Sequence, residues 1–157
     1  MKKDYLYRIF GGILILIFLF LTFFEYDRIL HPASEFIANG KYIDYSILLY
    51  SSRWIIYFLL FLAGFFTFLK SKKSYLILLI FSLTALLEIY INEVFYIVKS
   101  LSGYPKYFLL GSSIMSIVVI AINALKTKKI SFIDFFLSSI LAILIVYLPN
   151  TLITYYF

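Results

Sequence analysis

Tyr107–Leu125 reads YFLLGSSIMSIVVIAINAL, nineteen uncharged residues held between Lys106 and Lys126. At 1.5 Å per residue a helix of this length is about 28 Å long, close to the thickness of a bilayer's hydrocarbon core. Working outward, similar runs recur on both sides. Ile9–Phe24 lies between Arg8 and Glu25, and Trp54–Leu69 between Arg53 and Lys70. A run from Ser74 to Val98 precedes Lys99, and a last one covers residues 132–153, with Pro149-Asn150 expected to break or kink it near its far end. In lipid a chain must satisfy its backbone internally, so such runs are helices. The expectation is an all-α polytopic membrane bundle of about five transmembrane helices. Four spans plus a partial C-terminal one is the other arrangement.

Composition agrees. The 157 residues are 64% hydrophobic and 14% charged, with mean hydropathy +1.00, against about a quarter charged in a soluble domain. The chain reads as one membrane domain over 1–157, with spans near 9–24, 54–69, 74–98, 107–125 and 132–153 and an outer loop at 25–53. Lys2, Lys3, Arg8 and the first apolar run resemble the start of a secretory signal. The run ends Thr22-Phe23-Phe24-Glu25, too bulky for a cleavage site, so a retained span is expected. With no cysteine, disulfides, thiol redox chemistry and zinc–thiolate sites are excluded. The net charge of +6 lies in short clusters between apolar runs, the pattern of membrane topology and not of nucleic-acid binding.

Those clusters orient the chain. With five spans, the side of the N-terminus carries Lys2, Lys3, Arg8, Lys70, Lys72, Lys73, Lys126, Lys128 and Lys129, nine of the fourteen basic residues. Its acids are Asp4 and Asp134; the other six acids fall on the opposite side. The positive-inside rule then puts the N-terminus in the cytoplasm and the C-terminus outside, in a bacterial cytoplasmic membrane. In the outer loop Pro32 suits a helix start and Asn39-Gly40 a stop. Tyr42–Tyr50 reads as an amphipathic or re-entrant approach to the second span.

Polar residues gather near the outer boundary: Glu25, Asp27, Arg28, His31 and Glu35 after span one, Arg53 opening span two, Glu88, Asn92 and Glu93 closing span three, and Asn150 near the end of span five. Glu88, Asn92 and Tyr96 are four apart and share a helix face. A carboxylate inside a span is costly and faces the bundle or a partner charge. One reading is an outward-opening pocket for a proton or substrate. The other is a structural ion pair, with Arg53 joined to Glu88 or Glu93. The ion pair is preferred, because one titratable cluster with no repeat and no pair of broken helices is thin support for transport. His31 and Glu35 have the i, i+4 spacing of metal ligands, but Pro32 puts His31 at a helix boundary and there is no second His, so no metal is expected. Neither a nucleophile elbow nor a phosphate-binding glycine loop occurs, and no cofactor is expected.

Small residues bear on assembly. Ser112/Ser116 in span four and Ser138/Ala142 in span five have small-xxx-small spacing, which lets helices approach closely in lipid. Packing of spans four and five on each other is expected; homo-oligomerisation through the same faces is the other option. Spans one to three, dominated by Phe, Leu and Ile, are expected to be looser or to face lipid and a partner.

Phe23-Phe24-Glu25, His31-Pro32, Phe36, Gly40-Lys41-Tyr42 and Arg53-Trp54, with a second span closing at Lys70, resemble the small exosortase F system-associated membrane proteins of Bacteroidetes. Phe95-Tyr96 followed by Lys99 is similar to a later element of that family, with Val98-Lys99 where two arginines would stand. The resemblance covers about residues 20–99. This chain has a shorter Tyr42–Arg53 segment and an added fifth span. The same region resembles DoxX/MauE-type membrane proteins, without the redox cysteines of some of them. Both resemblances imply an accessory role with no catalytic residues. The expected function is therefore a non-enzymatic accessory subunit, bound to lipid and to another integral membrane protein, in protein sorting or export. A small proton or solute carrier using Glu88, Glu93 and Arg53, and an immunity protein that binds a toxin at the outer face, are the alternatives.

Overall fold

The computed structural model describes residues 2–30, 45–71, 73–95, 104–126 and 131–156, with side chains over 5–26, 52–71, 73–91, 104–122 and 131–149. Among these residues the chain forms five helices and no strand: α1 (Lys2–Leu30), α2 (Tyr45–Phe68), α3 (Ser74–Phe95), α4 (Tyr104–Lys126) and α5 (Phe132–Tyr156). Four contain stretches long and apolar enough to cross a membrane: Tyr5–Tyr26, Ser74–Ile91, Tyr104–Ile122 and Phe132–Pro149. The corresponding stretch of α2, Ser52–Phe68, is shorter.

The helices alternate in direction. Gly11 lies against Gly64 and Phe68, Phe18 packs against Phe61 with the rings tilted, and Glu25 meets Arg53, so α1 and α2 are antiparallel along their length. α2 therefore traverses the same depth as α1. Phe20 and Phe24 meet Phe108 and Tyr104, which makes α4 antiparallel to α1. The hydroxyl of Tyr75 donates to Asp134 at 3.4 Å, placing the starts of α3 and α5 at one end.

The helices α1, α2, α3 and α4 close a ring, each packed on the next and α4 returning to α1. Their inward faces supply one core, with Leu14, Leu21, Ile56, Leu60, Phe81, Ala85 and Leu109 fully buried. α5 lies outside this ring in the groove between α2 and α3. Among its described side chains, those buried form the i, i+4, i+8 stripe Ser138, Ala142 and Val146, while Phe132, Phe136, Leu137 and Tyr147 are exposed.

This arrangement corrects four expectations. First, α4 and α5 do not pack principally on each other; each packs on α3. Ser112 and Ser116 are buried on the ring side of α4, and Ser138 and Ala142 against the α2/α3 groove. The short connection brings the helices back along different sides of α3. Second, the tightest approach is between α1 and α2, the helices expected to be loose. A Cβ on Gly11 would stand 2.5 Å from the Phe68 nitrogen and 2.6 Å from the Gly64 oxygen, so the backbones themselves are in contact. Two glycines suffice for this, whatever the bulk of their neighbours.

Third, the loop expected over 25–53 is much shorter, because α1 continues through Glu25, Asp27 and Arg28 to Leu30 and α2 already begins at Tyr45. Charged side chains do not end a helix; caps and proline do, and the first proline after α1 is Pro32. Tyr45–Tyr50 is thus continuous with α2, and the helix expected over 32–39 lies outside the described residues. Fourth, of the break or kink expected at Pro149, the break does not occur: α5 runs on to Tyr156, although the proline costs it the bond to the Ile145 carbonyl, a loss tolerated in membrane helices.

Local signals set the other ends. After α2, Lys70 adopts a left-handed conformation (φ 55°), with Ser71 N donating to Phe66 O and Lys70 N to Thr67 O, the double bond of a Schellman turn. Ser131 caps α5, its Oγ accepting the Ile133 N–H at 3.3 Å, and Ser71 Oγ accepts the Lys73 N–H at 3.3 Å in the turn that leads into α3.

Candidate functional site

Most buried hydroxyls serve their own helix. Thr67, Ser82, Thr84, Ser113 and Ser116 each donate to a carbonyl four residues back, at 2.6–2.7 Å. This relieves them of any need for a partner helix. Ser52 and Arg53 behave differently. Consecutive helical positions are about 100° apart, so two adjacent side chains can serve two neighbouring helices. Arg53 turns to α1, where its Nη1 donates to Glu25 Oε1 at 3.2 Å. Ser52 turns to α3, where its Oγ donates to Glu88 Oε1 at 3.2 Å. One turn deeper, the Tyr57 hydroxyl faces the Glu25 carboxylate, outside hydrogen-bonding geometry but close enough to interact with it and with Arg53 and Glu88.

These five residues join α1, α2 and α3 at one end of the ring. They are sealed: Glu25 is 1% exposed, Ser52 and Arg53 2%, Glu88 3% and Tyr57 1%. Each lies within a helix, Arg53 two turns into α2 and Glu88 two turns before the end of α3. An Arg–carboxylate pair has a chemical logic at this depth. Either charge alone would be costly in hydrocarbon, and guanidinium remains charged in any protein setting.

The structure thus brings together three of the expected site residues, Glu25, Arg53 and Glu88. Arg53 pairs with Glu25, a partner the sequence reading did not name, and Glu88 is held by Ser52 of the same helix turn; the side chain of Glu93, the other expected partner, lies outside the described set. Arg28 lies on α1 and Asn92 and Glu93 on α3, but their side chains, like that of Asn150 on α5, are outside the described set, as are His31, Glu35 and Tyr96 altogether. Among the described residues no three His, Cys, Asp or Glu side chains are grouped to hold a metal ion. Ser52 and Tyr57 were not singled out from sequence. Tyr57 follows Arg53 by four residues, the spacing that shares a face, and that was the available signal.

No family model matches the chain, and no curated protein or solved structure matches it.

Proposed function

We propose that this protein is a non-enzymatic accessory subunit of a bacterial cytoplasmic-membrane complex, acting through helix and outer-loop contacts with another integral membrane protein. The observation that carries this reading is the sealed polar cluster. Its carboxylates and guanidinium are engaged in tying three helices together, which is work for a scaffold. A catalyst would present such groups to a substrate. Protein sorting or export is the setting implied by the resemblance over residues 20–99.

The orientation follows from charge. The end of the bundle holding Arg8, Lys70 and Lys73 faces the cytoplasm, and the end holding Glu25 and Arg53 faces outward. Reporter fusions should place the N-terminus and the 70–73 turn inside, and residues 31–44 and the C-terminus outside. A C-terminal reporter active only in the cytoplasm would show that α5 does not cross.

The partner is testable by affinity capture from native membranes. One stable endogenous membrane protein should co-purify, and replacing Arg28, His31 and Glu35 together with Ala should abolish its recovery while membrane insertion and yield persist. A partner still recovered from the triple variant would move recognition from the loop into the bilayer. Absence of any specific partner would leave the carrier reading in its place.

A further inference from the structure

The two ends of the bundle differ sharply in charge, and three sequence-distant elements make the difference. Gly11 packs on Phe68, so Arg8, nearly a turn earlier, is level with the Lys70–Lys73 turn. Ser82 and Ser113 meet across the antiparallel α3 and α4, a register that carries Lys126, the last residue of α4, past the Ser74 start of α3 to the same end of the bundle. Arg8, Lys70 and Lys73 are all exposed. Aromatic and apolar side chains stand at the same level: Tyr5 is 69% exposed, Leu69 57% and Phe132 81%. One of the few acids here, Asp134, accepts the Tyr75 hydroxyl. Exposed cations on α1 and on the Lys70–Lys73 turn, beside exposed aromatics on a bundle whose sides are apolar, have the chemistry of the headgroup layer.

We propose that this end of the bundle binds anionic phospholipid headgroups selectively, the recognised group being a phosphodiester with net negative charge. The same phosphate chemistry could be satisfied by a free anion; the flanking Tyr5, Leu69 and Phe132 favour the lipid, because they offer acyl chains a surface that inorganic phosphate cannot use. Recognition is electrostatic and spread over several residues, so it weakens with salt.

The test uses the purified full chain, delipidated in neutral detergent and titrated separately with phosphatidylglycerol, phosphatidylcholine and inorganic phosphate. Retention is read by native mass spectrometry. Phosphatidylglycerol should be retained in preference to phosphatidylcholine, and inorganic phosphate should not displace it. K70Q/K73Q should lower phosphatidylglycerol retention on the order of fivefold per charge removed, with phosphatidylcholine retention and helical circular dichroism unchanged. R8Q, on another element, should act in the same direction. K106Q, at the opposite end, should have no effect. Equal retention of the two lipids, undiminished phosphatidylglycerol binding by a folded K70Q/K73Q or R8Q, or displacement by inorganic phosphate would overturn the proposal.

Discussion

Arg53→Met should reduce folded yield and thermal stability far more than the double replacement Arg53→Met/Glu25→Leu. The single change strands Glu25, 1% exposed, without its guanidinium partner at 3.2 Å. Removing one member of a buried pair typically costs ~3–5 kcal/mol, whereas replacing both with apolar groups of similar volume is often neutral or better. The double variant should therefore recover most of the loss, read as detergent-extracted monodisperse protein and its melting midpoint. The pairing of Arg53→Met with Glu88→Leu is the comparison that tests the sequence-based expectation; it should recover less, because Glu25 remains stranded. Additive losses in the Glu25 pair would remove the structural role. The two carboxylates would then stand as a proton or substrate site, and the carrier reading would gain at the expense of the scaffold.

Gly11→Ala and Gly12→Ala, one residue apart, should have effects of opposite sign. At Gly11 the added methyl meets backbone atoms of α2 at 2.5–2.8 Å, which no rotamer change relieves. Helices α1 and α2 must separate, and the cost should reach or exceed the ~3 kcal/mol upper range of overpacking. At Gly12 nothing lies within 4 Å of the new methyl, so the substitution should be neutral or stabilising, by up to ~1 kcal/mol from helix propensity. Gly111→Ala, equally open, serves as a second control. Because separation of α1 from α2 also parts Glu25 from Arg53, Gly11→Ala and Arg53→Met should be less than additive when combined. Equal tolerance of Ala at positions 11 and 12 would contradict the close approach.

The apolar runs made the helices legible, because the bilayer demands uninterrupted apolar length and helical backbone together. Ser74 and Phe132 open their helices where the pattern changes. Boundaries set by capping, not hydropathy, were less legible. Glu25 closes an apolar run and so read as the edge of a loop, yet α1 carries on to Leu30. The site was half visible for the same reason. Glu88 stands out as a carboxylate inside a span and Arg53 as its obvious partner, but Glu25, at the end of an apolar run, reads as one of several boundary charges. A register argument would have found the pair. Glu25 and Arg53 lie fourteen positions on either side of Asn39, and two antiparallel helices joined near Asn39 bring mirror positions level. The Gly11–Gly64 approach is harder to see, since no pattern within either helix announces that two single glycines will coincide.

The Glu25–Arg53 contact also bears on how the chain enters the bilayer during synthesis. Arg53 would be costly on an α2 arriving by itself; at the edge of the apolar Ser52–Phe68 stretch the cost lies below the ~2.5–3.5 kcal/mol of a central arginine on insertion scales. Glu25 imposes a similar burden on α1. Entering together, as a closed hairpin, the two charges reach the hydrocarbon already neutralising each other, and the glycine contact holds the hairpin shut at its other end. The favourable unit of insertion is then the pair of helices and not the single helix. α1 is best retained beside the translocation machinery until α2 has emerged, and the ring can close only after α4 has followed.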